Sequence, residues 1–210
     1  MPDFEGMANA VIAGDHDTVV DLTKKAIDEK IEPTTIIDDG LIPGMNVVGQ
    51  RFKNGEMFVP EVLMSARAMA GGMDLVKPLL VGGDVPTKGI VVMGTVKGDL
   101  HDIGKKLVAM LMESAGYKVV DLGTDTEPEK FVEAIKESNA QVLGMSALLT
   151  TTMLSMKDTI EVLKEEGLRD KVKVIVGGAP VSQDFADEIG ADGFAPDAAS
   201  ATDLVEKLIG

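Results

Sequence analysis

The 210-residue chain contains no cysteine, no tryptophan, one tyrosine and two histidines. Without cysteine there can be no disulfide, thiolate zinc site, iron–sulfur cluster or cysteine nucleophile. Because His16 and His101 are the only histidines, a metal site built from several imidazoles is excluded as well. A metal ion must therefore be bound by nitrogen or oxygen ligands with at most these imidazoles, or arrive inside a cofactor.

Positive charge is also scarce, since 20 lysines and arginines face 35 aspartates and glutamates, for a formal net charge of −15. This balance argues against a nucleic-acid-binding protein, because phosphate contacts need clustered lysine and arginine. No stretch approaches the roughly 20 apolar residues that cross a membrane. Residues 1–6 lack the basic and apolar regions of a signal peptide. We expect a cytoplasmic protein.

The first half of the chain, to about Gly83, has apolar residues at helical spacing and no alternating run of β-branched residues. It predicts an N-terminal helical bundle of about four helices, which comprise the N-terminal segment and helices over residues 15–30, 33–48 and 60 onward. Gly40 and Pro43 are expected to kink or interrupt the second of these three helices. The pair Gly71-Gly72 is expected to bend or break the third.

In the second half of the chain the apolar residues follow a different spacing. Residues 81–87 read as a linker between a helical domain at 1–83 and an α/β domain at 84–210. Five short apolar runs are predicted as strands, at residues 88–96, 117–123, 140–148, 171–178 and 192–195. Helical patterns separate and follow them, at residues 103–114, 128–139, 153–166, 182–189 and 198–209. This alternation predicts a doubly wound, flavodoxin-like or Rossmann-like, five-stranded parallel sheet with strand order 2-1-3-4-5.

Three unusual segments follow the predicted strands that border the switch point of this sheet, where ligands bind at the carboxyl ends. A long loop, residues 94–104, follows strand one, and a run rich in small and hydroxyl residues, 146–153, follows strand three. The segment 177–180, Gly-Gly-Ala-Pro, follows strand four and lets a bulky ligand approach the backbone. We expect the three segments to line one crevice.

A lone histidine in such a loop is more often a surface residue than a metal ligand, but His101 does not stand alone. Its segment has the spacing Asp99-x-His101-x-x-Gly104, and Ser-x-Leu and Gly-Gly follow the third and fourth strands. This combination resembles the signature of the corrinoid-binding domain of cobalamin-dependent methyltransferases and mutases. The helical half, with FVPEVLM at residues 58–64, resembles the small corrinoid proteins of three-component methyltransferase systems, which act on methylamines, methanol, methoxylated aromatics or betaines.

The resemblance implies a cobalamin whose own nucleotide base leaves the cobalt, so that His101 becomes the lower ligand of the metal. Asp99 would accept a hydrogen bond from the other ring nitrogen. Thr152 would extend this relay, or cap the helix that follows, or do both. Asp99, His101 and Thr152 are thus the predicted catalytic residues, through a His–cobalt bond that forms and breaks during turnover.

The displaced nucleotide tail would occupy a slot between strands three and four. Ser146 and Leu148 would line one wall, and Gly177 and Gly178 the other. The complete predicted cobalamin-binding set is Gly98, Asp99, His101, Asp102, Ile103, Gly104, Ser146, Leu148, Thr150, Thr152, Gly177, Gly178 and Ala179.

The implied function is a methyl carrier that is not catalytic alone. Its expected partners are a donor-specific methyltransferase, an acceptor methyltransferase that uses tetrahydrofolate or a thiol, and a reductive activase, with a slight preference for O-demethylation of methoxylated aromatics. The bundle would cap the upper, reactive corrin face. The residues considered either for that covering surface or for the bundle core are Met57, Phe58, Val59, Met64 and Met69.

Three alternatives were weighed. The cobalamin subunit of an adenosylcobalamin-dependent mutase would lack the helical bundle. A cobalamin-dependent light sensor or regulator would need a basic helix-turn-helix segment, which this acidic sequence does not contain. A response-regulator-like domain without a cofactor would carry acidic residues at the ends of strands one and three, whereas strand three here ends in Ser-Ala-Leu.

Overall fold

The computed structural model describes residues 2–80 and 87–210. It divides the chain into two compact units, an N-terminal one of helices and a C-terminal one built around a sheet. Residues 81–86 of the predicted linker, and with them the expected boundary between positions 83 and 84, lie outside the described residues.

The N-terminal unit is helical throughout, as predicted. Its elements are α1 (Phe4–Ala13), α2 (His16–Asp28), α3 (Pro33–Thr35), a π-helical segment (Ile36–Leu41), α4 (Ile42–Lys53), α5 (Val59–Val76) and a 3-10 turn (Lys77–Leu79). Asp3 and Asp15 cap α1 and α2, because their carboxylates accept hydrogen bonds from the amides of Gly6 at 2.8 Å and Thr18 at 3.1 Å.

Two expectations about helix continuity had different outcomes. The second helix is interrupted as expected, since the π-helical turn lies just before Pro43, which has no amide hydrogen to donate. The expected break at Gly71-Gly72 is wrong, because α5 continues through both glycines. A Cβ added at Gly72 would lie 3.0 Å from Thr23 Oγ1 and 3.1 Å from Val19 Cγ1, both on α2. This glycine therefore serves close helix packing.

The C-terminal unit confirms the predicted α/β fold. Its elements are β1 (Ile90–Thr95), α6 (Ile103–Ser114), β2 (Lys118–Asp121), α7 (Pro128–Ser138), β3 (Val142–Ser146), α8 (Leu154–Glu165), β4 (Lys173–Gly177), α9 (Gln183–Ile189), β5 (Gly193–Phe194) and α10 (Ala198–Ile209). The five strands are parallel in the order β2-β1-β3-β4-β5. The strands are shorter than predicted, since flanking apolar residues such as Tyr117, Leu122 and Ala140 lie outside the regular strands.

The core of this unit explains why apolar and polar residues do not alternate along its central strands. Val92, Leu143 and Val174 are fully buried in the sheet, and Phe131 and Ile160 from α7 and α8 pack in the same cluster. Strands covered by helices on both faces read as continuous apolar runs. Among the described residues, no helix combines the length and the apolar character that crossing a membrane requires.

Candidate functional site

The sheet register brings the three singled-out segments side by side at the carboxyl edge. Thr95 at the end of β1 is the partner of Ser146 at the end of β3, and Ser146 is the partner of Gly177 at the end of β4. Backbone hydrogen bonds continue the pairing, since the Val96 amide donates to the Ser146 carbonyl at 3.0 Å and the Ala147 amide to the Gly177 carbonyl at 3.2 Å. The loops that follow these strands therefore start from one place.

The centre of this edge is the fully buried carboxylate of Asp99. Its Oδ1 accepts hydrogen bonds from the His101 amide at 3.0 Å and from His101 Nδ1 at 2.7 Å. Its Oδ2 accepts from the amides of Leu148 at 2.8 Å and Leu149 at 3.3 Å, and from Thr152 Oγ1 at 2.7 Å. The predicted relay of Asp99, His101 and Thr152 is thus one hydrogen-bonded group.

These contacts set the charge of Asp99. Burial alone would raise the pKa of its carboxyl group, but the hydrogen bonds from Thr152, Leu148 and His101 outweigh it and hold the pKa well below the usual value. Asp99 is therefore a carboxylate that can only accept hydrogen bonds. In the neutral imidazole of His101, Nδ1 must then carry the proton, which leaves the lone pair of Nε2 available to a metal.

His101 combines an accessible ring with an anchored backbone. Half of its side chain is exposed (51%). Its amide is bonded to Asp99, and its carbonyl accepts a hydrogen bond from Thr95 Oγ1 at 2.8 Å. A single imidazole nitrogen presented in this way can act as one axial ligand of a metal.

Exposed apolar side chains lie next to this imidazole in the sequence and in the segment that follows β3. Among the described residues of the C-terminal unit, the exposed large hydrophobic side chains are Leu100, Ile103, Leu148, Leu149 and Leu154. Leu100 and Ile103 flank His101. Leu148 and Leu149 belong to the segment after β3 whose amides bind Asp99, and Leu154 begins α8. Exposed apolar surface with few polar groups is typical of a site for a large flat ligand. The donor set and its surroundings therefore fit a corrinoid.

Of these five residues, Ile103 and Leu148 were predicted from the sequence, whereas Leu100, Leu149 and Leu154 were not. A signal was available, because leucines occur at positions 100, 148 and 149, in loops where polar residues are expected. Their exposure could not be deduced, since a buried loop would give the same pattern.

The predicted glycines have different physical roles. Gly98 has a φ of +80° and Gly178 a φ of +126°, conformations that favour glycine. A Cβ added at Gly178 would lie 1.8 Å from the Ala147 carbonyl oxygen. Gly178 is therefore required by the protein's own backbone, whether or not a ligand lies beside it. Gly104, the second residue of α6, is exposed, and beyond its own helix turn no atom of the described residues lies within 4 Å of an added Cβ. It therefore leaves open space next to the His101 loop.

The remaining predicted residues lie at the same edge with fewer contacts. Ser146 is half-buried at the end of β3, whereas Thr150 and Ala179 are exposed in the loops after β3 and β4. Asp102 forms an ion pair with Lys106 at 2.5 Å, and the hydrogen bond from Lys106 lowers its pKa.

The structure decides between the alternatives that the sequence left open for three side chains. Thr152 does not cap α8, since its hydroxyl donates to Asp99 and the position before the helix, Met153, has no side-chain cap. Met57 and Met69 are buried, so they are not part of an exposed covering surface. Phe58, Val59 and Met64 are exposed, as such a surface requires, and so is Leu63, which the analysis had not singled out.

Two supporting residues were also missed. The Asp125 carboxylate accepts a hydrogen bond from the Gly98 amide at 2.7 Å, and the Asp125 amide donates to the Asp99 carbonyl at 2.9 Å. Lys105 on α6 is fully buried and paired with Asp121 at the end of β2. Lys105 had a sequence signal, because it falls in the helical stripe of Ala109 and Met112, where an apolar residue is expected.

Comparison with known proteins identifies both halves. A B12 binding domain model matches residues 89–205, and a second B12 binding domain model matches residues 3–77. A corrinoid protein of Desulfitobacterium hafniense (strain Y51) is 48% identical over 210 residues, covering 99% of this chain and 97% of the relative. The dimethylamine corrinoid protein of Methanosarcina barkeri is 48% identical over 207 residues, covering 98% and 97%.

Solved structures agree over the whole length. The methanol:cobalamin methyltransferase complex MtaBC from Methanosarcina barkeri matches with a TM-score of 0.89 and 37% identity, covering 98% of this chain and 79% of that chain. A cobalamin-binding protein from Desulfitobacterium hafniense DCB-2 matches with a TM-score of 0.84 and 32% identity, covering 100% of both chains. With relatives this similar from end to end, the chain belongs to the family of cobalamin-binding corrinoid proteins.

Proposed function

We propose that this corrinoid protein is a methyl carrier, which binds cobalamin with its nucleotide base detached and with His101 as the lower cobalt ligand. The observation that carries the proposal is the half-exposed imidazole that Asp99 holds through Nδ1 in a surface of exposed apolar side chains. When bound, cobalamin supplies a cobalt centre that can take a methyl group from one partner and release it to another.

The residues of the chain would prepare this site in defined ways. Asp99 keeps the proton of His101 on Nδ1 and fixes the orientation of the ring, as carboxylates do behind metal-bound histidines. Thr152 and the Leu148 amide hold the second oxygen of Asp99, so that the carboxylate neither rotates nor loses its charge. Thr152 thus acts on His101 through Asp99.

The apolar residues would bind the corrin and keep water from it. Leu100 and Ile103 lie beside His101 on one segment, and Leu148 and Leu149 on the next. The open space at Gly104 would allow a flat ring to approach the first turn of α6. For the nucleotide tail we retain the predicted slot beside the ends of β3 and β4, with the half-buried Ser146 as its hydroxyl group.

The partners are proposed from the relatives. The names of the dimethylamine corrinoid protein and of the methanol:cobalamin methyltransferase complex support a donor methyltransferase as one partner. They favour a methylamine or methanol as the methyl donor, which puts O-demethylation of methoxylated aromatics second. An acceptor methyltransferase for tetrahydrofolate or a thiol and a reductive activase would complete a cytoplasmic system. A mutase subunit is not favoured, since relatives named for these systems match over nearly the whole chain.

The test is label transfer with the purified, cobalamin-loaded and reduced protein. Donors carrying a labelled methyl group, namely dimethylamine, methanol and a methoxylated aromatic, are each supplied with a corresponding methyltransferase. We expect label to elute with the protein in gel filtration for one donor class, and no label when the methyltransferase is omitted. Protein that retains no cobalamin, or that takes up label without any methyltransferase, would contradict the proposal.

A further inference from the structure

We infer that Thr95 is a positioning residue that holds the His101 loop on the sheet, an inference that rests on the proposed function. Thr95 is the last residue of β1 and is fully buried. Its Oγ1 donates a hydrogen bond to the main-chain carbonyl of His101 at 2.8 Å. It lies four residues before the Asp99-x-His101-x-x-Gly104 motif and would not contact the cobalt itself.

Thr95 is well placed to hold another segment, because both its backbone amide and its backbone carbonyl are hydrogen-bonded. Its amide donates to the Gly123 carbonyl at 3.0 Å, and its carbonyl accepts from the Thr126 amide at 3.0 Å. It is also in register with Ser146 on β3. As a β-branched residue it has a stiff side chain, so the position of the hydroxyl follows that of the sheet.

The loop that Thr95 holds has little structure of its own. Residues 99–102 belong to no helix or strand. Asp99 bonds both the amide and the ring of His101, and it therefore fixes the imidazole relative to the loop. The Thr95 hydroxyl bonds the His101 carbonyl, and it therefore fixes the loop relative to β1. A metal ligand has to be held to within about 0.5 Å of its working position, so both constraints matter.

The chain contains a matched control at Thr126. This threonine is also buried, and its hydroxyl has no hydrogen-bond partner among the described residues. Thr126→Val removes a buried hydroxyl close to the site, as Thr95→Val does, but leaves the His101 carbonyl bonded. Thr95→Ser keeps the hydroxyl and removes only the methyl group.

The experiment measures the binding of cobinamide, a corrinoid without a nucleotide tail, to the full-length variants. After reduction to Co(II), any nitrogen splitting in the electron paramagnetic resonance spectrum must come from the protein. Loss of one hydrogen bond predicts that Thr95→Val raises the Kd about fivefold and lowers the fraction of cobalt with nitrogen splitting. The Kd of Thr95→Ser should stay within about twofold of that of the unsubstituted protein. The Kd of Thr126→Val should equal that of the unsubstituted protein.

The outcomes separate the inference from the proposed function. A purely structural role would lower the thermal midpoint of Thr95→Val while its Kd and spectrum stayed equal to those of Thr126→Val, and this would overturn the inference. If Thr95→Val fails to fold, Thr95→Ala and Thr95→Ser differ only in the hydroxyl, and equal Kd values for the two would also overturn it. Absence of nitrogen splitting in the unsubstituted protein would instead contradict the proposed function.

Discussion

The Asp99 carboxylate makes the stability of the fold depend on pH. Its folded-state pKa is lowered from the ordinary value of 3.8. The stabilisation is therefore fully present above about pH 5 and is lost as the pH falls towards the lowered pKa. We expect Asp99→Asn to reduce the free energy of unfolding by about 2 kcal/mol at pH 7, because an amide cannot accept from all the donors around Asp99. Urea unfolding curves between about pH 2.5 and pH 7 measure the difference.

The control is Asp158→Asn, which changes an exposed aspartate on α8. The free energy of unfolding of Asp158→Asn should differ little from that of the unsubstituted protein at every pH. The difference in unfolding free energy between Asp99→Asn and the unsubstituted protein should become smaller as the pH falls below about 5. A difference that stayed constant across this range would show that the Asp99 charge is not what stabilises the loop.

The sequence contains enough to identify Asp99, His101 and Thr152, and too little to arrange them. A carboxylate two residues before a histidine in a loop can reach its ring, and the resemblance to corrinoid-binding domains supplied the threonine. The amide donors of Leu148 and Leu149, and the hydroxyl of Thr95, could not be predicted. They depend on the paths of two loops in space, and loop path is not encoded in any periodic pattern.

The first turn of α6 offers a test that separates stability from binding. Gly104 lies in this turn, and an added methyl group would meet no atom of another element within 4 Å in the part of the chain that the structure describes. We expect Gly104→Ala to leave the apoprotein as stable as before or more stable by up to about 1 kcal/mol, since alanine favours helix more than glycine. Cobalamin affinity should fall about tenfold or more if the corrin approaches here. Thermal unfolding and equilibrium dialysis measure the two effects.

Gly178 would be a poor choice for the same test, because its Cβ would strike the Ala147 carbonyl and disturb the fold directly. Unchanged affinity in a folded Gly104→Ala protein would remove the first turn of α6 from the binding surface.

The ion pair between α6 and the end of β2 should respond asymmetrically to substitution. The Lys105 side chain is fully buried, whereas 34% of the Asp121 side chain is exposed. Asp121→Asn leaves a buried ammonium group without a counter-charge, and we expect it to lower the free energy of unfolding by about 3 kcal/mol. Lys105→Met replaces the buried charge with an apolar side chain and leaves Asp121 partly hydrated. This substitution should therefore lower the free energy of unfolding by less than about 1 kcal/mol. Chemical denaturation of both variants measures the two losses of unfolding free energy. A larger loss for Lys105→Met than for Asp121→Asn would contradict the burial argument.

The elements themselves were predictable to different degrees. The alternation of apolar runs and helical patterns was sufficient for β1 to β5 and their order, because buried parallel strands have a distinctive composition. The predicted helices of the N-terminal unit are present, the second of them divided into α3, the π-helical segment and α4, but the continuity of α5 was not predicted. Gly71 and Gly72 are weak helix formers in isolation, and it is the close contact of Gly72 with Thr23 and Val19 that accounts for glycine there.

For the whole chain, the two compact units correspond to the two family matches, residues 3–77 and 89–205. The sheet unit contains the complete relay of Asp99, His101 and Thr152. The helical unit carries exposed apolar residues at the start of α5, among them Phe58 and Met64. Composition alone had excluded several classes of metal site, and it left a cofactor-borne metal as a possibility that the motifs then made specific.

The most direct test of the central claim uses the fact that the chain contains only His16 and His101. The protein is produced once with ordinary histidine and once with ¹⁵N-labelled histidine, loaded with cobinamide and reduced to Co(II). If His101 ligates the cobalt, the electron paramagnetic resonance spectrum shows a three-line nitrogen splitting that becomes two-line with the label, and His101→Ala shows neither. A spectrum without nitrogen splitting, or one that the label leaves unchanged, would contradict the account.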